Sequence, residues 1–350
     1  MTSPRPRTVA RRRLVLGGGG LALAGLLAAC AETPEAPPAA EAGPTLAEPT
    51  PNTTEDQLTA VVTEIGAAVA AADEARDAGK LAPRVVGSAA AFRKAMYGLI
   101  EKDDQWAQDL TAPGESLMVP MTSTDAEFPR TAIALVANSA KDGVPMFMAL
   151  QQADARSPYT TWGWAQQASG VEMPEVPADL VGSAPVTPDT DDLLMTPKDA
   201  LALYAKVLSD GDAADKDDKL AENPFQTETH KRIQTERKEL NAGVEKDEVA
   251  TIKEVFTVVE DEFAGLRTAD GGAIVLATLT SVRKVAIKDG ATVRYAEDNK
   301  YTTVIGTKEF TKEFIREFGT QVAVYIPAKD SDAQVQPIGA TQTATGTSGS

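Results

Sequence analysis

The order in which helical and strand patterns follow one another constrains the fold of this chain most. Apolar residues recur at three- and four-residue steps from Glu55 to Ala78, as they do on the buried face of a helix. Short apolar runs separated by turn residues then fill Ser116 to Gln167, which is typical of antiparallel strands. Helical spacing returns after Thr196, and strand-like runs follow from Ala250 to Ile338. We therefore expect the α+β class, with two groups of helices that each pack on a curved antiparallel sheet.

A proline-rich, acidic segment separates the two groups of helices and strands. It covers residues 171–193 and contains four prolines. This composition predicts a linker between two tandem domains at 55–170 and 194–340, followed by a disordered tail at 341–350 that is rich in Thr, Gly and Ser. The alternative is one continuous core, in which the proline-rich segment packs over the boundary between the two halves as an ordered connector.

Two local patterns in the second half carry more specific predictions. Thr196-Pro197 places a good N-cap residue directly before a proline, which predicts that a helix begins there. The run from Thr302 to Phe310 predicts a strand of the second sheet.

The two halves also share a short, similar sequence pattern. Lys80-Leu81-Ala82 precedes Phe92-Arg93-Lys94 by nearly the same distance at which Lys219-Leu220-Ala221 precedes His230-Lys231-Arg232. This similarity favours a tandem duplication, although two helices rich in Ala and Lys can also match by coincidence. Helices followed by a sheet, in units of this size, resemble the NTF2-like or cystatin-like cone. That resemblance implies a curved sheet around a hollow.

Residues 1–29 have the composition of a bacterial export signal. They contain five arginines and no acidic residue, and an apolar run extends from Leu14 to Ala29. The run is shorter than the roughly 20 apolar residues of a spanning helix, so a cleaved signal is favoured over a permanent transmembrane segment. Arg12-Arg13 resembles a twin-arginine signal, and the general secretory route remains the alternative.

The signal ends in Leu27-Ala28-Ala29-Cys30, which resembles the bacterial lipobox. The resemblance implies cleavage between Ala29 and Cys30, a diacylglyceryl group on the Cys30 thiol and an acylated amino terminus, with chains such as palmitate. Two or three acyl chains suffice for stable anchoring in a membrane. A chance cysteine in an ordinary signal peptide is the alternative.

The segment after Cys30 predicts a tether between the membrane and the folded body. Residues 30–54 contain six prolines and four glutamates and no aromatic residue. Proline-rich chain extends by about 3.1 Å per residue, so the tether would hold the body some tens of ångströms from the bilayer.

The whole chain resembles an uncharacterised actinobacterial-type lipoprotein family. Besides the lipobox, the resemblance rests on Leu81-Ala82-Pro83-Arg84-Val85-Val86-Gly87, on Val324-Tyr325-Ile326-Pro327 and on Ile338-Gly339-Ala340. It implies an anchored protein on the extracytoplasmic face of the cell membrane. It assigns no role to any single residue.

Charge and cysteine content exclude several classes of function. Without residues 1–29 the chain keeps 29 basic and 51 acidic side chains, a formal net charge of −22, which disfavours nucleic acid as a partner. Cys30 is the only cysteine, so we expect no disulfide and no thiolate metal site. His230 is the only histidine, in a polar helix, where a solvated surface role is expected. The chain therefore predicts no metal and no cofactor.

Two further patterns resemble binding sites. The acidic run Asp210 to Asp218 lacks the glycine and the final carboxylate of a calcium loop, because Asp215 and Ala221 occupy those positions. Trp162 and Trp164 alternate on a strand, so both should face one side, where Tyr159 would lie nearby. These three aromatic residues predict either a pocket wall or part of the core.

No catalytic residue stands out from the sequence, and enzymatic activity stays an open question. The leading hypothesis is a non-catalytic binding or scaffolding lipoprotein of the cell envelope, whose partner is an envelope protein, a glycan or a small ligand. The alternative is a small-molecule carrier or cone-fold enzyme with a pocket near Trp162 and Trp164.

Overall fold

The computed structural model describes residues 49–350 with the exception of residue 246. The predicted signal, the lipidation site at Cys30 and most of the tether lie outside these residues. The described residues belong to one compact unit. None of their helices is long and apolar enough to cross a membrane.

The first half consists of two helices followed by a four-stranded antiparallel sheet, which we call sheet 1. The strands pair in the order β1-β2-β3-β4. Thr54 is the N-cap of the first helix, and a capping box with Gln57 provides acceptors for the backbone N–H groups of both residues. The elements are α1 (Glu55–Ala75), α2 (Gly87–Ile100), β1 (Pro113–Thr122), β2 (Arg130–Asn138), β3 (Met146–Gln152) and β4 (Thr160–Gln166).

The second half repeats this arrangement, with a second four-stranded antiparallel sheet, sheet 2, in the order β10-β9-β6-β5. Thr196 caps the first helix of this half, with Pro197 in the first turn, as predicted. The elements are α3 (Pro197–Asp210), α4 (Pro224–Leu240), β5 (Ala250–Arg267), β6 (Ala273–Ile287), β7 (Val293–Arg294), α5 (Lys300–Ile305), β8 (Glu309–Phe310), β9 (Glu313–Ile326) and β10 (Gln336–Gly349). The α+β class and the antiparallel sheets are confirmed.

Apolar side chains arrange these elements in four layers. Leu58, Val62 and Ile65 of α1 pack with Met148 and Trp164 on one face of sheet 1. On the second sheet, alternate residues of β6 (Val275, Ala277 and Leu279) pack with Leu201 and Tyr204 of α3. Burying each large apolar side chain of this kind contributes about 1.5–3 kcal/mol. Helices therefore cover the outer face of each sheet, α1 on sheet 1 and α3 on sheet 2.

The two sheets share the core that lies between them. Met121 and Ile133 of sheet 1 pack with Leu266, Ile274 and Leu276 of sheet 2. The side chain of Gln321 on β9 adds two hydrogen bonds to β4, to the Trp162 carbonyl at 3.0 Å and from the Trp164 N–H at 3.2 Å.

The proline-rich segment lies against both sheets. The Ser183 N–H donates to the Thr122 carbonyl at 2.8 Å, and the Val186 N–H donates to the Gly265 carbonyl at 3.1 Å. The N–H of Leu194, just beyond the segment, donates to Pro327 at 2.8 Å. These contacts are those of an ordered connector. The division into domains at 55–170 and 194–340 stays a prediction.

Two local predictions for the second half were wrong. Residues 341–350, expected to be disordered, form most of β10 and pair with β9 as far as Gly349 opposite Phe314. The reason is that β9 offers a row of unpaired backbone groups, and threonines at alternate positions suit a strand. Residues 302–310 were expected to be one strand, but α5 extends to Ile305 and only Glu309–Phe310 form a strand. The helix begins here because the Asn299 side chain caps it through the N–H groups of Tyr301 and Thr302.

Candidate functional site

A cavity of about 400 Å³ opens between α3 and an irregular stretch of β5. The pairing of β5 with β6 runs regularly to Val258 opposite Leu279 and resumes only at Phe263 opposite Ala277. Residues 259–262 therefore bulge away from the sheet. Bulges of this kind are common beside functional sites because they redirect side chains.

The walls of this cavity combine apolar and charged groups. Pro188, Leu201, Val258 and Phe263 supply the larger apolar surfaces. The charged side chains are three carboxylates and one ammonium group, a formal balance of −2. They belong to Asp189, Lys198, Glu260 and Glu262. A mostly apolar wall with a few placed polar groups is typical of ligand sites.

Glu262 connects the cavity with α2 in the other half of the chain. Its Oε1 accepts a hydrogen bond of 2.6 Å from the backbone N–H of Ser88. The N-cap residue of α2, Val86, makes no side-chain cap, so Glu262 takes that role from 174 residues away. Its Oε2 is shielded from solvent and accepts no hydrogen bond from the described part of the chain.

Gly87 makes the approach of Glu262 sterically feasible. A Cβ at this position would contact both the carboxylate of Glu262 and the Cβ of Trp162. The residue also has a φ of +55°, which other residue types adopt at a cost. Space and backbone conformation therefore both require glycine where α2 meets β5.

A family model matches residues 49–349, nearly all of the described body. The chain belongs to that family, which is described as a domain of unknown function (DUF8094). No curated protein and no solved structure matches the chain. The match agrees with the prediction that the chain belongs to an uncharacterised family. The actinobacterial-type lipoprotein origin and the NTF2-like relation stay proposals.

The predicted aromatic residues of the DUF8094 domain do not form one wall. Trp162 and Trp164 were expected on one face of β4, and this was wrong. Ala149 pairs with Gly163 but Leu150 pairs with Thr161, so a bulge at Trp162 breaks the alternation. Trp162 is buried between the sheets, whereas Trp164 is buried under the helices.

Tyr159, the third residue of the predicted pocket, joins the helix side of sheet 1 to the start of the body. Its hydroxyl lies 2.9 Å from the Thr53 hydroxyl, and burial raises the pKa of the phenol. The Asn52 N–H donates to the Ser123 carbonyl at 2.9 Å. The last residues of the predicted tether are therefore attached to sheet 1.

The acidic run and the histidine of the DUF8094 domain connect neighbouring elements. Asp215 accepts a hydrogen bond of 2.7 Å from the Leu220 N–H, and Asp212 accepts one of 2.8 Å from the Gln226 side chain. Half-buried His230 places Nε2 3.0 Å from the Val207 carbonyl and Nδ1 3.4 Å from Asp212. In the described residues no group of three or more His, Cys, Asp or Glu side chains is placed to hold a metal ion.

A tyrosine–aspartate pair lies in the wall of a second cavity of the domain, which has a volume of about 470 Å³. The Tyr325 hydroxyl donates to Asp270 Oδ2 at 2.6 Å, and burial with this bond raises the pKa of Tyr325. Burial raises the pKa of Asp270, but hydrogen bonds from Thr268, Tyr325 and the Gly272 N–H outweigh it and lower the pKa overall. Both shifts oppose proton transfer near neutral pH, and the three bonds hold the β5–β6 turn.

Sequence reasoning missed Glu262 and the cavity because the contacts that create them are distant along the chain. One signal was present: Glu260-Asp261-Glu262 interrupts the apolar alternation of β5. A break in the alternation of a strand is consistent with a bulge, and bulges are frequent beside functional sites. The position of α3 over that interruption, and the contact of Glu262 with Ser88, had no local signal.

Proposed function

We propose that this protein is a lipid-anchored, extracytoplasmic binding protein that holds a small ligand in the cavity between α3 and β5. The observation that carries the proposal is the cavity itself. Its volume, about 400 Å³, lies in the range of ligand sites, and its walls join apolar surface to a few fixed charges. Its charged groups are carboxylates and one lysine, a set suited to recognition. This cavity replaces the pocket expected near Trp162 and Trp164.

The proposed anchor is the lipid on Cys30, at the end of the predicted signal. Asn52 and Thr53, near the end of the predicted tether at 30–54, are bonded to the body, so the tether would extend from Cys30 over residues 31–51. At about 3.1 Å per residue those 21 residues would reach roughly 65 Å when extended. The body would then face partners and ligands outside the membrane.

We also propose that the two halves arose by tandem duplication of a helix-then-sheet unit of the NTF2-like or cystatin-like kind. The supporting feature is the common order of two helices followed by a four-stranded antiparallel meander. A superposition of the halves that pairs β1–β4 with β5, β6, β9 and β10 in order would support the idea. A superposition that requires another strand order would contradict it.

The anchor is tested with the Cys30→Ala variant of the full chain. Each acyl methylene buried in the membrane contributes about 0.8 kcal/mol, so loss of every chain should release the protein. We expect uncleaved precursor to accumulate and the variant to leave the detergent phase in Triton X-114 partitioning. Retention of Cys30→Ala in that phase, at the level of the natural protein, would contradict the anchor.

The ligand site is tested with Ala202→Trp, which fills the cavity from an exposed position of α3. Ala71→Trp, at an exposed position of α1, adds the same side chain elsewhere. We expect ligands found in a small-molecule screen by ligand-observed NMR to lose binding in Ala202→Trp and to keep it in Ala71→Trp. Ligands that bind both variants equally, or a screen without any ligand, would contradict the proposal.

A further inference from the structure

We infer that the body contacts a zwitterionic lipid surface through the turn at residues 178–182, which lies beside the point where the tether joins the body. The inference rests on the proposed lipid anchor and specifies which face of the body meets the membrane. It follows from three features: the exposed apolar side chains of the turn, the course of the chain next to it, and the charges around it.

The turn presents two consecutive apolar side chains to solvent. Leu180 is 85% exposed and Val181 is 61% exposed, more than any other large apolar side chain of the described residues. The Ala178 carbonyl accepts hydrogen bonds from the N–H groups of Val181 at 2.9 Å and Gly182 at 3.1 Å, which order the turn. Single exposed apolar residues are common and need no explanation. Two in succession at the tip of an ordered turn form a patch whose burial in a lipid surface is favourable.

The chain that leads to Cys30 leaves the body next to this turn. A Cβ added to Gly182 would lie 2.9 Å from Cγ of Pro51, so these two residues pack directly against each other. The residue after Pro51, Asn52, donates its backbone N–H to the Ser123 carbonyl at 2.9 Å, just beyond the end of β1. A lipid on Cys30 would therefore pull on the body at the side that carries the exposed turn.

The tether makes a weak contact with the membrane effective. An anchored body stays within the reach of residues 31–51, roughly 65 Å at most. Tethering turns contact with the bilayer into an intramolecular step, which proceeds at a high effective concentration and needs little binding energy of its own. Burial of the side chains of Leu180 and Val181 at the membrane interface then favours one orientation of the body.

The charges around the turn decide the kind of lipid. Asp179 lies in the turn, and Asp125 and Glu127 lie at exposed positions of the loop after β1. The side-chain amide of Asn52 donates to the Asp125 carbonyl at 2.9 Å, so this loop also adjoins the tether. Arg130 follows the loop, and residues 171–193 contain no lysine or arginine, so acidic groups prevail. Anionic headgroups would repel these carboxylates, whereas zwitterionic headgroups carry no net charge.

The test places a fluorescent probe in the turn of the full-length lipidated protein, reconstituted in phosphatidylcholine vesicles. Ala178→Cys, at an exposed position that keeps Leu180 and Val181, is labelled on the new thiol, because the proposed lipid occupies Cys30. Nitroxide groups on the lipid acyl chains quench probes that enter the membrane interface. We expect these lipids to quench the probe in Ala178→Cys and to leave the probe in the control, Asp289→Cys, unquenched.

Asp289 is a matched control because it lies in an exposed turn at the other end of β5. Its neighbour Lys288 donates its N–H to the Val249 carbonyl, directly before β5, whereas Arg267 at the far end of β5 donates to the Ala184 carbonyl beside the 178–182 turn. The length of β5 separates these two ends by roughly 55 Å along the strand.

Two further changes test the side chains and the lipid. Leu180→Ser with Val181→Ser, added to the labelled Ala178→Cys protein, should lower the ratio of docked to free bodies by at least about tenfold. Both side chains are exposed, so the fold should not change. Replacing half of the phosphatidylcholine by phosphatidylglycerol should also weaken the quenching, because the acidic side chains are repelled.

The outcomes separate this inference from the proposed anchor. If the protein floats with the vesicles but the probes in Ala178→Cys and Asp289→Cys are quenched equally, the inference is overturned and the anchor stands. Quenching that survives the two serine substitutions would overturn the role of Leu180 and Val181. Stronger quenching with phosphatidylglycerol would overturn the preference for zwitterionic lipid. If the protein does not float with the vesicles, the anchor fails and the inference fails with it.

Discussion

At the scale of single residues, Glu254 on β5 and Arg283 on β6 form an ion pair that is buried on both sides. The two residues are register partners, and Glu254 is 1% exposed. The carboxylate accepts hydrogen bonds from Arg283 Nε at 2.7 Å and from the Ser281 hydroxyl at 2.6 Å. Moving two charges out of water is costly, so such a pair is stable only while it is complete.

Arg283→Leu should therefore destabilise the protein strongly, because it leaves the Glu254 carboxylate buried without its cation. We expect a loss of about 3–5 kcal/mol in the free energy of unfolding, measured by urea denaturation. Arg294→Leu is the matched control, since the Arg294–Glu309 pair is solvent-exposed and contributes about 0–1 kcal/mol. Similar losses in the two variants would show that the buried pair is not needed for stability.

The prediction of site residues from sequence failed where tertiary contacts break a local rule. Alternation along β4 placed Trp162 and Trp164 on one face, and a single bulge separated them. Glu262 was not identified because its hydrogen-bond partner, Ser88, lies in the other half of the chain. Periodicity reports on neighbours along a strand, and it contains no information about which helix end will meet that strand.

At the scale of elements, the helices other than α5 and the central strands could be predicted well, because their signals are local. Thr196 and Pro197 identified the start of α3 from capping chemistry alone. The last strand could not be identified in the same way, because small polar residues from Thr341 onward carry no apolar pattern. Its stability comes from the free edge of β9, which only the assembled sheet provides.

Removal of residues 341–350 should test this dependence of β10 on β9. The truncation exposes the backbone groups of β9 from Phe314 to Gln321. We expect a lower melting temperature by circular dichroism and a tendency to aggregate, because long exposed edges pair with other chains. Removal of a disordered tail would change neither property, so an unaltered melt would contradict the pairing.

At the scale of the whole molecule, the two halves depend on each other through the layer between the sheets. Ile274 and Leu276 of β6 pack against sheet 1, and the connector is bonded to both sheets. Sequence analysis anticipated the order of elements in each half and offered the continuous core as an alternative. It could not decide between the two arrangements, because proline-rich composition is shared by exposed linkers and by packed connectors.

The fragments 49–193 and 194–350, produced separately, should therefore fail to fold. Each would expose the apolar face that the other half covers, and neither would keep the contact between Glu262 and Ser88. The intact body, cut by protease at the exposed turn around Leu180, should stay associated on size-exclusion chromatography. Cooperative melting of either isolated fragment would instead support two independent domains.

Glu262 takes part in two structures at once, the start of α2 and the wall of the cavity between α3 and β5. One carboxylate oxygen caps α2, and the same residue lines a cavity formed by the second half of the chain. Anything that draws this side chain towards the cavity loosens the start of α2, and anything that frays α2 alters the affinity of the cavity by the same free energy. Occupancy of the cavity and order at the start of α2 are thus reciprocal quantities.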